Sequence, residues 1–319
     1  MKLARTAVFT LSLSLLPRCG CEKRVLAVPQ QRASPPTDPP TLPGPPAPPP
    51  PAPPLVWLDA MDYGAKGDGV TDDSSALQAA FDAGPVVIRK TSAFYRVNRT
   101  LSLTNSVKGD GSPEIRMMDA DGSSEKALFQ VVNSMRPLTV SGLHLNGGWD
   151  GHGTAGENSH LIAIWGSANV SVLQNVLEAS YGDNVFIDRL PRAPWTNSSN
   201  VTVRQNQMRS PYRCNVAIVS AHDVLVEEND IRKSNGYVVS VDMEPDDDSS
   251  QTVYNVRIVN NTVTLTSVFV AAYSPQFDRI AVHDALVEGN SGTAAAVFIQ
   301  VSTSGPTSGL VVRNNAITR

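Results

Sequence analysis

A dense group of carboxylates follows an apolar alternating pattern in the segment VVSVDMEPDDDSS, residues 238–250. The acids in this segment are Asp242, Glu244, Asp246, Asp247 and Asp248. Like charges at this density repel one another. Such a group is suited to holding a cation such as Ca²⁺ through hard oxygen ligands, to acid–base chemistry, or simply to a hydrated turn.

Pro245 divides this acidic group into two parts. Asp242 ends the apolar pattern, in which Val239 and Val241 are expected to face inward, so its own side chain should face outward. Pro245 favours an extended backbone at Glu244, which places that side chain on the same side. We therefore predict that Asp242 and Glu244 face a groove as catalytic groups, or as the ligands of any bound metal. The acids after Pro245 are expected to be solvated.

The elements that would position these groups come from an internal repeat, which is the strongest pattern in the sequence. The repeat has a period of about 23 to 32 residues. Each copy contains a short strand with alternating β-branched residues, then a polar turn that often includes Asn, then a second apolar pair. The copies span residues 137–145, 169–177, 200–208, 223–231, 255–263 and 309–317, with a weaker copy at 279–287. A period of this kind is typical of one solenoid coil with about three short strands.

A second alternating strand lies between these copies, for example in NVFID at 184–188 and NVAIV at 215–219. Its offset from the start of the repeat is the same in three coils. The constant offset predicts one inward stack of Val185, Val216 and Val239, and a next stack of Ile187, Ile218 and Val241. Leucine-rich spacing and helical periodicity are both missing from the sequence. We therefore predict an all-β fold, a right-handed parallel β-helix.

Stacked coils would align their outward residues in columns about 4.8 Å apart. The column expected at one rim contains His160, Asp183, Cys214 and Tyr237, with Arg213 one step earlier. The column expected at the other rim contains Trp165, Asp188, Val219 and Asp242. We predict catalytic roles for Asp183, His160, Arg213, Asp242 and Glu244, and substrate binding by Trp165, Tyr181, Asp188 and Tyr237.

Structural roles are the alternative for these side chains. Asp183 would then bond to its own turn, and Arg213 would pair with Asp183 in the neighbouring coil. His160 would be a turn residue whose ring nitrogens form hydrogen bonds within the protein. Trp165 would cover the side of the solenoid, although an exposed aromatic ring beside a groove is also suited to stacking on a sugar.

Two kinds of polysaccharide chemistry fit these residue types. Hydrolysis needs two carboxyl groups; the backbones of Asp188 and Asp242, two coils apart, would be separated by about 9.6 Å, which permits inversion. Lyase or epimerase chemistry on uronic acids needs a cation that neutralises the sugar carboxylate, together with a base and an acid. The opposite rim supplies those groups in Arg213, His160 and Asp183, with Tyr181 or Tyr237.

The segment before the repeats carries a resemblance to a known family. YGAKGDGVTDDSSALQAAFDAG, residues 63–84, resembles the opening motif of the pectate-lyase-like (rhamnogalacturonase/epimerase-like) β-helix superfamily. YGDNVFI at 181–187 and VDMEP at 241–245 continue the resemblance, which covers residues 57–319. It implies a right-handed parallel β-helix, and Asp72 and Asp73 precede a stretch suited to a short capping helix.

The resemblance implies a carbohydrate groove rather than one reaction, because the superfamily includes lyases, hydrolases, epimerases and phage tailspikes. The chain lacks the paired DD motif with a later GHG of polygalacturonases, and the DPH triplet of mannuronan epimerases. We expect an enzyme that acts on a polysaccharide, with uronate lyase or epimerase chemistry ahead of hydrolysis. The alternative is a non-catalytic glycan-binding surface protein or adhesin. Ca²⁺ is the cofactor that the acidic group would suit.

The N-terminal part of the chain indicates export. Residues 1–24 have a secretory signal pattern, and Cys19 or Cys21 lies where an acylated cysteine would anchor a lipoprotein. Residues 25–56 are predicted to be a proline-rich linker, and residues 57–319 the β-helix domain. We expect the mature protein in the cell envelope or outside the cell. A net charge of −4 gives no basic footprint for nucleic acid.

Overall fold

The computed structural model describes residues 56–118, 127–151, 158–232, 239–245, 250–274, 281–302 and 308–319. These residues belong to one compact unit, Pro53–Arg319. The predicted signal segment and nearly all of the predicted linker lie outside the described residues, as do Tyr237 and residues 246–248. Within the described ranges, the helices are too short or too polar to cross a membrane.

Short strands and one α-helix make up the described part of the chain. The α-helix, α1, spans Ser74–Ala83, and a 3₁₀ helix spans Ala60–Tyr63. The strands are β1 Leu58–Asp59, β2 Val86–Arg89, β3 Tyr95–Val97, β4 Leu101–Ser102, β5 Val107–Asp110, β6 Glu114–Met117, β7 Phe129–Val132, β8 Leu138–Ser141, β9 His144–Asn146, β10 Ile162–Trp165, β11 Ala168–Leu173, β12 Val176–Glu178, β13 Val185–Asp188, β14 Ser198–Arg204, β15 Gln207–Arg209, β16 Val216–Ile218, β17 Ala221–Glu227, β18 Asp230–Arg232, β19 Val239–Met243, β20 Val253–Val259, β21 Thr262–Thr264, β22 Val268–Ser274, β23 Val282–Glu288, β24 Ser291–Thr293, β25 Ala296–Ser302, β26 Val311–Arg313 and β27 Ala316–Thr318.

In the described residues these strands form three parallel sheets that run the length of the solenoid. Sheet A has the order β1-β2-β5-β8-β11-β14-β17-β20-β23-β26. Sheet B has the order β3-β6-β9-β12-β15-β18-β21-β24-β27, and sheet C has the order β4-β7-β10-β13-β16-β19-β22-β25. Each coil adds one strand to each sheet, which confirms the predicted right-handed parallel β-helix.

A stack of asparagines locks successive coils together at the turn between sheets A and B. The side-chain amide of Asn175 donates to Asn206, and that of Asn206 donates to Asn229, both at 3.0 Å. The same contact links Asn229 to Asn261 at 2.9 Å. Each amide also donates to a backbone carbonyl, as Asn206 does to Val172 at 2.9 Å. These buried donors and acceptors are satisfied only when the coils are in register.

Helix α1 covers the first coils with an apolar face. Leu77 and Phe81 are fully buried, and Phe81 meets Phe129 edge to face with 5.7 Å between ring centroids. Asp73 precedes the helix as predicted, but its carboxylate makes no cap hydrogen bond there. It accepts instead from the backbone of Lys66 at 2.7 Å and Gly67 at 3.1 Å. It therefore holds the loop in front of the helix.

The predicted register of sheet C is wrong by two residues at β19. Val185 pairs with Val216 as expected, but Val216 pairs with Val241 and not with Val239. Val239 pairs with Val268 of the following coil. Six residues, 210–215, separate Arg209 from Val216, whereas eight residues, 233–240, separate Arg232 from Val241. The connection into β19 is therefore two residues longer than the one into β16.

This shift changes which residues share a column on the outer face of sheet C. Trp165 pairs with Asp188, and the next positions are Val219 and Glu244, whose N–H groups donate to Ile187 and Ile218. Glu244 thus takes the place that the sequence predicted for Asp242. Asp242 pairs with Ala217 instead. Val239 is level with Cys214, where Tyr237 was predicted.

Candidate active site

A cavity of about 580 Å³ lies on the outer face of sheet C. Its wall brings together five of the predicted site residues: His160, Trp165, Asp188, Arg213 and Glu244. The remaining wall residues are Ser102, Leu103, Thr104, Ala127, Gln130, Val132, Asn158, Ala163, Phe186, Pro191, Arg192 and Val219. Asp183, Asp242 and Tyr181 were also predicted, but they do not line the cavity, and Tyr237 lies outside the described residues.

Asp183 lies behind the cavity wall and is fully buried. Its Oδ1 accepts the backbone N–H of Cys214 at 2.8 Å. Its Oδ2 lies 3.2 Å from Nδ1 of His160 and 3.8 Å from Nη1 of Arg213. A carboxylate at this depth contacts His160 and Arg213 from behind the cavity wall. The catalytic role of Asp183 stays a prediction.

His160 is held by the backbone as well as by this carboxylate. The N–H of Asp183 donates to Nδ1 of His160 at 3.1 Å. Nδ1 therefore faces both the backbone N–H and the carboxylate of Asp183. On its face the imidazole stacks on Phe186, with 4.3 Å between ring centroids and 12° between planes. These contacts fix the orientation of the ring plane.

Arg213 lies between two carboxylates. Its Nη2 is 3.4 Å from Oε2 of Glu244, and its Nη1 is 3.8 Å from Oδ2 of Asp183. Its side chain is only 9% exposed. The ion pair with Asp183 that the sequence offered as the structural alternative is present. The positive charge of Arg213 is thus largely compensated within the protein.

Asp242 and Glu244 form a pair of neighbouring carboxyl groups, hereafter the carboxyl pair. Asp242 points away from the solenoid core, as predicted, but its neighbours cover it and leave it 4% exposed. Burial raises the pKa of Asp242 to about 8, and the adjacent Glu244 charge adds to this effect while Arg213 opposes it. Asp242 therefore keeps a proton at neutral pH and shares a side-chain hydrogen bond with Glu244. Glu244 is the member that reaches the cavity.

Asp188 is the second carboxylate of the cavity wall. It ends β13, and its Oδ1 accepts the N–H of Arg189 at 2.7 Å. Asp188 and Glu244 occupy the same column with one strand between them, so their backbones lie about 9.6 Å apart. A separation of this size leaves room for a water molecule and a sugar between the two carboxyl groups.

Two aromatic rings lie near Asp188, at the end of the column away from Glu244. Phe186 lies beside Trp165, with 4.9 Å between ring centroids. Trp165 is half-buried and lines the cavity, as expected for a sugar-stacking residue. Phe186 was not predicted, because the sequence reasoning followed its inward neighbours Val185 and Ile187. Its outward position in an alternating strand was the available signal.

The metal prediction is not strengthened by the described residues. Among them, no three His, Cys, Asp or Glu side chains are grouped closely enough to hold a metal ion. Residues 246–248, which would extend the acidic group, lie outside those ranges. Ca²⁺ binding by Asp242 and Glu244 stays a prediction.

No protein-family model matches this chain, and no curated protein is detectably similar to it in sequence. Solved structures are similar to it in fold. A 1,3-α-1,4-β-D-galactose-4-sulfate-3,6-anhydro-D-galactose-2-sulfate 4-galactohydrolase superposes with a TM-score of 0.61 at 17% identity, over 78% of this chain and 60% of its own. An iota-carrageenase complexed to iota-carrageenan fragments gives 0.57 at 16%, over 75% and 55%. The N-terminal fragment of bacteriophage Phi29 gene product 12 gives 0.58 at 18%, over 79% and 47%.

These similarities support the fold and leave the activity open. The chain spans between 47% and 60% of the length of these three structures. At such low identity, a shared β-helix does not carry a reaction or a substrate from one protein to another. The link to the pectate-lyase-like superfamily stays a prediction from the opening motif.

Proposed function

We propose that this protein is an exported hydrolase of an acidic polysaccharide and that it cleaves the glycosidic bond with inversion. The observation that carries the proposal is the common column of Asp188 and Glu244, two strands apart on one wall of the cavity. Inverting hydrolases need two carboxyl groups about 6.5–9.5 Å apart, one as acid and one as base. Backbones about 9.6 Å apart allow side chains to meet that requirement.

The carboxyl pair supplies the proton in this scheme. It keeps one proton at neutral pH because Asp242 is buried beside Glu244. The proton of Asp242 moves along the shared hydrogen bond to Glu244. Glu244, as the exposed member, gives it to the glycosidic oxygen while the bond from that oxygen to the anomeric carbon breaks. The guanidinium of Arg213, 3.4 Å from Glu244, stabilises the carboxylate charge that is left.

Asp188 acts as the base on the opposite side of the bond. It removes a proton from a water molecule, and the water oxygen forms the new bond to the anomeric carbon. Trp165 stacks on a sugar ring, and Nε2 of His160 forms a hydrogen bond with a sugar hydroxyl. Asp183 positions His160 and Arg213 from below.

Uronate lyase or epimerase chemistry, which the sequence favoured, fits this geometry less well. That chemistry needs a cation free to neutralise the carboxylate of the substrate. Arg213, the cation to which the sequence assigned this role, is flanked by two protein carboxylates, so its charge is already balanced. It remains the second candidate because His160 and Arg213 line the same cavity. Export is supported by the signal pattern of residues 1–24, with a lipid anchor at Cys19 or Cys21 as the proposed attachment.

The proposal is tested by incubating the protein with a panel of acidic and neutral polysaccharides, including sulfated galactans, which the two carrageenan-related structures suggest as candidates. Reducing ends and unsaturated uronates are measured in the same samples. We expect reducing ends to appear on an acidic polymer without unsaturated products. Unsaturated uronates would establish lyase chemistry instead. Binding to a polymer with neither product would establish a non-catalytic glycan-binding protein.

A further inference from the structure

The loop of residues 189–197, which follows Asp188, forms one side of the cavity through Pro191 and Arg192. The loop is closed by a hydrogen bond from the N–H of Leu190 to the carbonyl of Thr196 at 2.9 Å. Its base packs on Gly166, next to Trp165. A Cβ atom at Gly166 would lie 2.3 Å from Cγ of Leu190 and 2.9 Å from the Thr196 oxygen. The loop therefore packs against the end of β10, the strand that contains Trp165.

Arg192 is a cation of the cavity wall whose charge is not compensated. It is exposed, and no carboxylate pairs with it in the ranges that the structure describes. Arg213 differs, since it lies between Glu244 and Asp183. An uncompensated guanidinium at the rim of a cavity is suited to binding a carboxylate or sulfate, whose planar or forked oxygens it can bridge.

Trp195 presents an aromatic surface on the same loop. Its side chain belongs to a residue that is 49% exposed. The backbone N–H of Trp195 donates to the backbone carbonyl of Arg192 at 3.1 Å. The guanidinium of Arg189 lies 4.6 Å from the centroid of its ring. Arg189 is buried and donates to the hydroxyl of Ser250. This cation–π contact supports the ring from one side and leaves the rest of it to solvent.

We propose that the loop 189–197 is a binding subsite for an anionic sugar residue next to the cleavage point. Arg192 pairs with the carboxylate or sulfate of that residue, and Trp195 stacks on its ring. The loop begins directly after Asp188 and lines the same cavity, so a sugar bound on it would neighbour one cleaved between Asp188 and Glu244. The position of this subsite relative to the bond rests on the proposed function, whereas the binding itself does not.

The test measures the affinity of oligosaccharides by calorimetry in a Glu244→Gln background, which prevents turnover. The probes are oligogalacturonate for the carboxylate, iota-carrageenan oligosaccharide for the sulfate, and neutral agarose oligosaccharide as the uncharged comparison. Arg192→Gln is expected to weaken binding of an anionic probe at least about tenfold and to reduce its dependence on salt. The affinity for the neutral probe should stay within about twofold. Trp195→Ala should weaken anionic and neutral probes alike.

Arg257→Gln is the matched control, because Arg257 is an exposed arginine on β20 of sheet A, away from the cavity. The subsite is overturned if Arg192→Gln binds the anionic probes like its parent, if Arg257→Gln weakens them equally, or if the parent binds none of the probes. The probe that loses more affinity identifies the anion. Arg192-dependent binding without hydrolysis by the wild-type protein would refute the proposed function and leave the subsite standing. Hydrolysis by the wild-type protein, with an unchanged affinity of Arg192→Gln for the anionic probes, would support the proposed function and refute the subsite.

Discussion

The carboxyl group of Asp242 shares a hydrogen bond with that of Glu244, two residues further along the chain. Asp242 is buried and Glu244 reaches the cavity, so one proton is held between a covered group and an accessible one. The pKa of Asp242 is raised to about 8 chiefly because burial disfavours its charged form. This arrangement gives the site a proton source at neutral pH and makes folding stability depend on pH.

The Asp242→Asn variant should remove that pH dependence. Between the ordinary pKa of 3.8 and about 8, the folded protein keeps a proton on Asp242 that the unfolded chain has lost. The stabilisation that this proton gives is complete below pH 4 and is lost as the pH rises through 8. The slope is at most about 1.4 kcal/mol per pH unit.

Urea unfolding of wild type and Asp242→Asn at pH 5, 7 and 9 checks this prediction. The free energy of unfolding of the variant, relative to wild type, should increase from pH 5 to pH 9. The amide of Asn keeps a donor for Glu244 and carries no ionisable proton. Parallel pH profiles for the two proteins would show that Asp242 is ionised in the folded state.

The Asp183→Asn variant should fold with reduced stability. The carboxylate of Asp183 is fully buried and is one of two acids beside Arg213. Removing one partner of a buried ion pair leaves the other charge poorly compensated, which costs about 3 kcal/mol. The measurement is the free energy of unfolding in urea.

Asp284→Asn is the control for that measurement, because Asp284 also lies beside a histidine, 2.7 Å from Nδ1 of His283, but is exposed. Its unfolding midpoint should match that of wild type. Similar losses of unfolding free energy in both variants would mean that burial does not increase the cost of removing the charge of Asp183.

The parallel β-helix could be predicted from the sequence because its coils repeat. Val185 and Val216 stack as expected, and the recurrent Asn of the turns forms the buried ladder that includes Asn175 and Asn206. The register at β19 could not be predicted by the same reasoning. A shift of two residues keeps every side chain on its own face of the strand, so alternation fits Val239 and Val241 equally well. Only the length of the connection distinguishes them, and that connection has no repeat of its own.

The sequence predicted which residues meet at the site better than it predicted how those residues are arranged. His160, Trp165, Asp188, Arg213 and Glu244 do meet at one cavity. Depth within a coil depends on which neighbouring side chains cover a group, and a linear pattern does not contain that information. Asp183 and Asp242 were for this reason expected in the groove, although both are buried. Arg192 and Trp195 belong to a loop that occurs once, so no column of repeats indicated them.

The stereochemistry of the product is a further consequence of the carboxylate spacing. Asp188 and Glu244 are two strands apart, which leaves room for water rather than for direct attack by a carboxylate. Proton NMR during the first minutes of hydrolysis should show the anomer opposite to that of the substrate linkage. Initial release of the same anomer would indicate a covalent intermediate and a closer approach of the two groups.

The most direct test of the account is the rate of reducing-end release from a cleaved acidic polysaccharide by wild type, Glu244→Gln, Asp188→Asn and Glu228→Gln. Glu228 is an exposed glutamate paired with Arg204 outside the cavity, and serves as the matched control. Loss of the acid or the base should lower the rate by about 10²–10⁴-fold, with unfolding midpoints showing that the variants remain folded. Glu228→Gln should keep the wild-type rate. Glu244→Gln and Asp188→Asn proteins that cleave at the wild-type rate would contradict the assignment of hydrolysis to this cavity.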